Sequence, residues 1–279
     1  MQLHSINTGM FKLDGGAMFG VVPKSIWHRL NPADENNLCT WAMRSLLIED
    51  DGRLILIDNG IGDKQDDRFF SHYHLHGEAS LQQSLHARGF DFTDITDVVL
   101  THLHFDHCGG SIIRKNDKLE TAFPNAIYWS NEKHWQTATH PNAREKASFL
   151  KENILPIQEN GQLRFTDETN GVISNHINIR MFDGHTEGMM LPRIQYGDKT
   201  IVFMADLLPS AAHIPIPYVM AYDMQPLKTL NEKTTFLQEA FDQQYILFFQ
   251  HDPQVEATIL QTTEKGLRAS ECNTLSSFL

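Results

Sequence analysis

The chain has 279 residues, of which 41% are hydrophobic, and it carries a formal net charge of −12 at pH 7. This charge argues against a nucleic-acid partner or an anionic membrane surface, because phosphate groups are bound by basic faces. The length is enough for a sizeable core, and no repeat, Gly/Ser linker or shift in composition divides it. We therefore expect a single domain over residues 1–279.

The three cysteines, Cys39, Cys108 and Cys272, are widely spaced and odd in number. They make no Cys-x-x-Cys pair and no disulfide framework, and we expect Cys108 to pack as a small apolar residue. The N-terminus lacks the basic and apolar regions of a signal peptide, and no apolar run reaches the roughly 18–20 residues of a membrane span. We therefore expect a cytoplasmic protein without a membrane partner.

The N-terminal third contains a glycine-rich stretch and a β-hairpin. Residues 14–23 hold three glycines around Met18 and Phe19, which predicts a loop that packs on the core, lines a pocket or makes a homodimer contact. Residues 40–48 and 53–57 predict two strands joined by an Asp-Asp-Gly turn. The next polar stretch includes the run His72, His74 and His76, which has no carboxylate between its histidines and does not follow a strand, so we interpret it as a surface loop.

The middle of the chain alternates helices and short strands. Helical spacing over 78–88 ends at Gly89, a natural helix stop. We expect His134 and His140 in this region to be exposed to solvent. The remaining elements predicted here are strands at 98–100 and 126–129, a helix near 131–137 and a helix over 142–155 ended by Pro156.

The C-terminal part predicts further strands with one strong helix. Two runs, 190–196 and 200–205, flank a Gly-Asp turn and predict a hairpin. The remaining predicted elements are a strand at 177–182, an amphipathic helix over 226–243, a strand at 245–249 and a helical segment within 253–268.

Three histidines and an aspartate directly follow the apolar run at 98–100. His102 and His104 alternate with Leu103 and can leave an extended segment on the same side. Asp106 and His107 come next, and Gly109-Gly110 lets the backbone bend sharply. A strand that leads into a ligand-rich turn presents several side chains to one point, so this stretch predicts a metal site.

Four further strands also end in a possible ligand or supporting group. These residues are Asp58, His185, Asp206 and His251. Binding sites in sheet proteins gather where strand ends meet loops, so the shared position of these residues favours one common site.

Thr101 to Gly110 resembles the His-x-His-x-Asp-His signature of the metallo-β-lactamase superfamily, and the later ligand spacings fit as well. The resemblance implies an α+β fold, a four-layer αββα sandwich of two mixed sheets flanked by helices. It implies a first metal held by His102, His104 and His185, and a second held by Asp106, His107 and His251. Asp206 would bridge the two ions, and Asp58 would support the ligands by hydrogen bonds.

This ligand set implies a dinuclear hydrolase. Imidazoles and carboxylates without thiolates suit Zn²⁺, while Fe²⁺, Mn²⁺ and Co²⁺ are also compatible. Two neighbouring ions can share a water and lower its pKa toward about 7, which supplies a bridging hydroxide at neutral pH. Asp106 or Asp206 would then act in catalysis by passing the proton to the leaving group.

Residues 14–24 resemble the N-terminal segment of YtnP-like quorum-quenching lactonases, which share the Thr-His-Leu-His-Phe-Asp-His sequence. This resemblance implies hydrolysis of N-acyl-homoserine lactones or related lactones. The candidates for an apolar pocket around the acyl chain are Met18, Phe19, Trp27 and Phe105.

The sequence departs from these lactonases at one position. Many of them carry a tyrosine three residues after the bridging aspartate, whereas this chain has Pro209, which has no hydroxyl. Either His213 or Tyr218 supplies a donor to the substrate, or the substrate differs, as in organophosphate or aryl ester hydrolases. A glyoxalase II-type thioesterase is also compatible with the signature, although only Lys265 and Arg268 suggest its basic glutathione site. A non-catalytic, metal-stabilised binding protein would use the same ligands.

Overall fold

The computed structural model describes residues 1–166 and 171–279, which form fourteen strands, eight α-helices and short 3₁₀ turns. The strands are β1 (Gln2–Asp14), β2 (Leu38–Asp50), β3 (Arg53–Ile57), β4 (Asp97–Val99), β5 (Ile112–Lys115), β6 (Lys118–Thr121), β7 (Ile127–Ser130), β8 (Leu163–Phe165), β9 (Ile177–Phe182), β10 (Met189–Tyr196), β11 (Lys199–Phe203), β12 (Ile246–Phe248), β13 (Ala257–Thr263) and β14 (Gly266–Asn273). The helices are α1 (Gly15–Phe19), α2 (Lys24–Trp27), α3 (Asp67–Ser71), α4 (Leu81–His86), α5 (Phe105–Cys108), α6 (Glu132–Thr139), α7 (Lys151–Glu159) and α8 (Pro226–Asp242).

The first six-stranded sheet has the order β1-β2-β3-β4-β7-β8. β2 and β3 form the predicted antiparallel hairpin, with Leu46 opposite Ile57. Its turn uses positive φ angles of 48° at Asp51 and 77° at Gly52, which an Asp-Gly pair tolerates well. The pairing of β3 with β4 and of β4 with β7 is parallel. The residues that follow these strands therefore leave the sheet at the same edge.

The second six-stranded sheet has the order β14-β13-β12-β11-β10-β9. β10 and β11 are the predicted antiparallel hairpin, with Tyr196 opposite Lys199. β11 and β12 run parallel, with Phe203 beside Phe248, so Asp206 and His251 follow neighbouring strand ends. The prediction of two mixed sheets accompanied by helices is confirmed.

The described chain divides into two compact units. Unit 1 comprises Met1–Gly9 and Met43–Ile179, and unit 2 comprises Met10–Ala42 and Arg180–Leu279. Unit 1 has a continuous apolar core that includes the fully buried Leu56, Val98 and Leu100. In unit 2, aromatic pairs fill the interior, with Phe203 and Phe248 at 5.7 Å between ring centroids and Phe182 and Phe236 at 6.0 Å. A single domain over the whole chain stays a prediction.

Within residues 1–166 and 171–279, no helix is both long and apolar enough to cross a lipid bilayer. α8, at 17 residues, is amphipathic and has a buried face that includes Phe236, Leu237 and Ala240.

The predicted helix over 142–155 is confirmed only from Lys151 onward and is wrong for residues 142–150. The side chain of Asn142 accepts hydrogen bonds from the backbone amides of Arg144 and Glu145 at 2.9 and 3.0 Å, which folds this segment into a turn. The helix begins only at Lys151, and Pro156 lies inside α7 instead of ending it. Pro156 is the sixth of the nine residues of α7, where it removes one backbone donor from a short helix.

The predicted helical segment within 253–268 is also wrong, because β13 and β14 form a hairpin there with Thr263 opposite Gly266. Thr258, Ile259 and Thr262 are β-branched and lose side-chain freedom in a helix, which favours the strand. Gly266 has a φ of 88°, a conformation that glycine adopts without strain.

Residues 14–23 are not the predicted loop. The Asp14 carboxylate accepts a hydrogen bond from the Ala17 amide at 2.8 Å and starts α1. A side chain at Gly15 would lie 2.4 Å from the Trp27 ring, so α1 packs closely on α2. Met18 and Phe19 are buried by this packing.

Candidate metal centre

The cluster loop, residues 101–110, leaves the first sheet after β4 and carries four of the predicted ligands in unit 1. His104 caps the short helix α5, so the chain turns between the His102–His104 pair and the Asp106–His107 pair. The His102 Nε2 and His104 Nδ1 atoms are 3.1 Å apart, and His107 Nε2 lies 3.6 Å from Asp106 Oδ2. All four side chains are buried. Unit 1 thus brings three imidazoles and a carboxylate into one small space.

Two glycines allow the cluster loop to pack tightly on the segment after β3. A Cβ atom at Gly109 would lie 2.0 Å from the Ile61 carbonyl oxygen, and one at Gly110 would lie 2.3 Å from the Asn59 carbonyl oxygen. These distances exclude any side chain without movement of the backbone. The Gly-Gly pair is therefore needed for close backbone contact, in addition to its freedom to bend.

Asp58 holds the cluster loop from the end of β3. Its Oδ1 accepts a hydrogen bond from the Thr101 amide at 2.8 Å, and its Oδ2 accepts one from the Thr101 hydroxyl at 2.7 Å. The same Oδ2 lies 3.0 Å from His107 Nδ1. This contact places the proton of His107 on Nδ1, so Nε2 is the nitrogen whose lone pair can coordinate a metal.

Unit 2 brings together the three remaining predicted ligands. His185 Nε2 lies 3.1 Å from one carboxylate oxygen of Asp206, and His251 Nε2 lies 3.1 Å from the other. All three side chains are at least nine-tenths buried. Asp206 follows Ala205, which has a positive φ of 41°, so the chain turns sharply after β11. The carboxylate of Asp206 therefore stands between two imidazoles with one oxygen toward each.

The Nδ1 atoms of His185 and His251 each have a protein acceptor. His185 Nδ1 lies 2.8 Å from Asp223 Oδ1, and His251 Nδ1 lies 2.8 Å from the Ala42 carbonyl oxygen. These acceptors fix the ring orientation and direct Nε2 toward Asp206. A set of buried imidazole and carboxylate donors about 3 Å apart, with no thiolate among them, fits divalent metal ions.

Sequence reasoning missed three groups that support these ligands. Asp223 lies in an irregular loop without a periodic signal, and Glu145, whose Oε1 lies 3.3 Å from His104 Nε2, fell in the wrongly predicted helix. His134 was expected to be exposed, but it is buried on α6 and accepts a hydrogen bond from the Leu103 amide at 2.8 Å. The prediction failed because His134 shares the buried face of α6 with Ala138, one helical turn away.

The predicted pocket residues of unit 2 form an aromatic stack. Phe19 lies between the ring of Trp27, at 5.3 Å and 9°, and that of His213, at 4.7 Å and 4°. His213 Nε2 donates to the Met18 carbonyl at 2.9 Å, and its Nδ1 accepts from the Ser210 hydroxyl at 2.8 Å. Burial lowers the pKa of His213 to about 3, so the ring is neutral.

Phe105 belongs to a separate aromatic group in unit 1. Its ring contacts Phe69 at 5.4 Å and Tyr73 at 4.6 Å between centroids. Phe105 immediately precedes Asp106, and burial raises the pKa of the Tyr73 phenol to about 12. The group therefore places neutral, largely apolar surface beside a predicted ligand.

Cys108 packs as predicted. It is fully buried, its thiol lies 3.4 Å from the Leu103 carbonyl oxygen, and burial raises its pKa well above the usual range. A thiol held in its neutral form is a poor metal ligand, because the thiolate is the coordinating species. His72, His74 and His76 are exposed, as predicted.

Comparison with known structures identifies several similar folds. A probable metal-dependent hydrolase from Staphylococcus aureus is 28% identical with a TM-score of 0.89, and the match covers 98% of this chain and 96% of the other. AidC, a dizinc quorum-quenching lactonase, is 22% identical with a TM-score of 0.79 over 98% and 95% of the two chains. The hydrolase AbOPH is 21% identical with a TM-score of 0.77 over 96% and 93%.

The sequence matches no functionally curated protein at a significant level. The family model of the metallo-beta-lactamase superfamily matches residues 44–251, which is well over half of the chain. The buried His/Asp clusters described above agree with a metal-dependent hydrolase. The chain therefore belongs to the metallo-β-lactamase superfamily and has its fold.

Proposed function

We propose that the chain is a hydrolase that uses two divalent metal ions. The observation that carries this proposal is the position of Asp206, whose two oxygens each lie 3.1 Å from the Nε2 atom of a different imidazole, His185 or His251. A carboxylate with one oxygen toward each of two ligands is suited to bridge two ions. Zinc is the expected metal, and iron, manganese and cobalt remain compatible with the same donors.

The predicted ligand set divides between the two ions. His102, His104 and His185 would hold the first ion. Asp106, His107 and His251 would hold the second, with Asp206 shared. Bound divalent ions supply an activated water at neutral pH and polarise the bond to be cleaved.

The chain's own carboxylates would provide the remaining chemistry. Asp206 and Asp106 are acceptors for a proton that is then delivered to the leaving group. Asp58 and Asp223 keep His107 and His185 in the tautomer that presents Nε2, since each carboxylate accepts from Nδ1 at 3.0 and 2.8 Å. No serine or cysteine nucleophile is needed.

We propose lactones as the substrate class, with N-acyl-homoserine lactones as the first candidates. Support comes from the similarity of residues 14–24 to the quorum-quenching lactonases. It also comes from the aromatic group of Phe69, Tyr73 and Phe105, which offers apolar surface beside Asp106. An acyl chain needs such surface, because burial of each methylene contributes about 0.8 kcal/mol.

Organophosphate or aryl ester hydrolysis is the second candidate, and Pro209 favours it. Lactonases with a tyrosine at this position have a hydroxyl that this chain lacks. Both nitrogens of His213 are engaged within unit 2, so this ring has no free donor for a substrate carbonyl. Tyr218 is then the donor to test for a lactone. A phosphotriester has no carbonyl group, so it does not need a donor at that position.

The test is a pH-stat assay of the metal-loaded enzyme on N-acyl-homoserine lactones with short, medium and long acyl chains. Lactone opening releases a carboxylic acid that ionises at neutral pH, so turnover is read as base consumption. A paraoxon-type triester and a glutathione thioester are assayed in parallel, and Asp206→Ala serves as the metal-site control. We expect lactone turnover that Asp206→Ala lacks.

The remaining outcomes separate the competing functions. Turnover of the triester alone would replace the lactone proposal with the organophosphate one, and turnover of the thioester alone would favour the glyoxalase II-type reaction. Rates no higher than those of Asp206→Ala on every substrate would contradict the hydrolase and favour a metal-stabilised binding protein.

A further inference from the structure

Unit 1 has a cationic surface groove that is separate from the predicted ligands. Its volume is about 670 Å³. Three permanently or largely charged side chains line it, Lys64, Arg68 and Arg114, together with His72. Such a concentration of positive charge is unusual in a chain of formal net charge −12.

Asp63 and Glu152 act electrostatically on Lys64, but within the described chain the cations of this groove are not directly paired. In the part of the chain that the structure describes, Lys64, Arg68 and Arg114 form no ion pair. The two acidic residues that line the groove have other partners. Asp66 accepts a hydrogen bond from the Phe69 amide at 2.8 Å, and Glu152 accepts one from the Gln65 side chain at 3.0 Å.

Lys64 is a buried residue in the lining of the groove. Only 6% of its surface is exposed, and its Nζ donates to the Gly109 carbonyl oxygen at 2.5 Å. An ammonium group has three N–H donors, and among the described residues this is the one acceptor that Lys64 meets. Burial lowers the pKa of Lys64 to about 8, because the charged ammonium is less stable away from water.

A buried amide oxygen of the groove lacks a hydrogen-bond partner among the described residues. Gln65 Oε1 is inaccessible to solvent and makes no hydrogen bond to any described residue. An amide oxygen only accepts hydrogen bonds, so the partner of this atom would be a water or a donor on the organic body of a bound molecule, and not the oxyanion itself. The walls beside it include Phe69 and Leu150, which add apolar surface.

We propose that this groove binds the carboxylate or phosphate group of a small organic anion, with Lys64, Arg68 and Arg114 as its cationic contacts. Guanidinium groups bind both kinds of oxyanion in a bidentate manner, and a buried ammonium gains an acceptor. The groove of about 670 Å³ far exceeds the roughly 30 Å³ of one water, so it has room for an organic body attached to the anion.

Two contacts connect this groove to the cluster loop, so binding in the groove would affect that loop. Lys64 donates to Gly109, which belongs to that loop. Phe69 lines the groove and contacts Phe105, whose neighbours in sequence are His104 and Asp106. An anion that repositions Lys64 or Phe69 therefore acts directly on the loop that carries four of the predicted ligands. The inference does not depend on lactone hydrolysis.

The test is isothermal titration calorimetry with inorganic phosphate and with acetate at constant ionic strength. The variants Arg68→Gln and Arg114→Gln change exposed side chains, and Arg88→Gln, an exposed arginine of unit 1 outside the groove, is the matched control. We expect saturable binding to the wild type and to Arg88→Gln, and at least about tenfold weaker binding to each groove variant. Saturation by phosphate alone assigns a phosphate group, and saturation by acetate alone assigns a carboxylate.

A second measurement follows the amide resonances of Gly109 and Gly110 by NMR during the same titrations. Saturable shifts of these resonances, lost in Arg114→Gln, support the link to the cluster loop. The proposal fails if neither anion saturates at millimolar concentration, or if the groove variants bind as tightly as Arg88→Gln. Thermal unfolding of each variant establishes that weaker binding is not caused by loss of the fold.

Discussion

At the scale of single residues, the orientation of three histidines in the candidate centre is set by hydrogen bonds of their Nδ1 atoms. His107, His185 and His251 each place Nδ1 against an oxygen of the protein, at 3.0, 2.8 and 2.8 Å. Because one nitrogen of each ring is engaged, the other is oriented before any ion binds. The ligands are thus preorganised by hydrogen bonds within each unit.

We expect His104→Ala and Asp206→Ala to lose metal and turnover together, because each removes a donor atom from the set. Metal content measured by plasma mass spectrometry should fall from two ions per chain to about one or fewer. Asp198→Ala, at the exposed turn between β10 and β11, is the control and should keep both. Two ions and full turnover in either ligand variant would rule out the assignment.

Asp223→Asn should weaken metal binding without abolishing it. The amide oxygen can still accept from His185 Nδ1, but the negative charge that raises the basicity of the ring is lost. Changes of this kind typically cost about 10–100-fold in metal affinity. Competition with a chelating dye measures the affinity, and Asp198→Asn again provides the control. An unchanged affinity would show that Asp223 acts only in packing.

At the scale of elements, short turns decide how the ligands are presented. The cluster loop leaves β4, turns through α5 and packs on the segment after β3, where Gly109 and Gly110 meet the carbonyls of Ile61 and Asn59. The glycines of the motif therefore have a steric function that their position after the ligands only partly indicates. Asn142 has a similar local effect, since it turns the chain that presents Glu145.

Gly109→Ala should destabilise the fold much more than Gly161→Ala. The new Cβ would lie 2.0 Å from the Ile61 carbonyl oxygen, and backbone on both sides would have to move, at a cost of at least about 3 kcal/mol. Gly161 has a φ of 70° but open space around it, so alanine there costs only about 1 kcal/mol of backbone strain. Urea unfolding measures both, and equal losses would refute the steric explanation.

At the scale of the whole molecule, buried charges in unit 2 link stability to pH. Lys233 on α8 is fully buried and donates to the carbonyls of Pro215 and Tyr218 at 2.8 Å each. Burial lowers its pKa from 10.5 to about 7. The folded state therefore binds fewer protons than the unfolded state between these two values. In this range stability rises with pH, and below about pH 7 the gain is absent.

Lys233→Met should remove this dependence, because methionine keeps much of the length of the side chain without a titratable group. We expect the free energy of unfolding of the wild type to increase from pH 7 toward pH 10.5, and that of Lys233→Met to change less over the same range. Lys228→Met is the matched control, because Lys228 lies on the same helix with a side chain that is 42% exposed and paired with Asp183. Parallel pH profiles for wild type and Lys233→Met would contradict the assignment.

The sequence by itself predicted the His/Asp set of the candidate metal centre, and it determined the two hairpins, most strands and the long helix α8. These features depend on local spacing, turn chemistry and hydrophobic periodicity, which are visible within a short window of residues. The same local reasoning failed for 142–150 and 253–268. In the first, hydrogen bonds from backbone amides to the Asn142 side chain outweighed helical spacing. In the second, β-branched residues paired as a hairpin.

Only the tertiary structure decided which groups support the ligands and where the cationic groove lies. Asp223 meets His185 across 38 residues, Glu145 meets His104 across 41, and Lys64 meets Gly109 across 45. Contacts at such separations give no periodic pattern in the sequence, because they depend on the order of the strands in the sheets. In the sequence, a carboxylate or lysine that becomes buried cannot be distinguished from an exposed loop residue. Its charge affects stability strongly only after the fold removes it from water, and its partner is then defined.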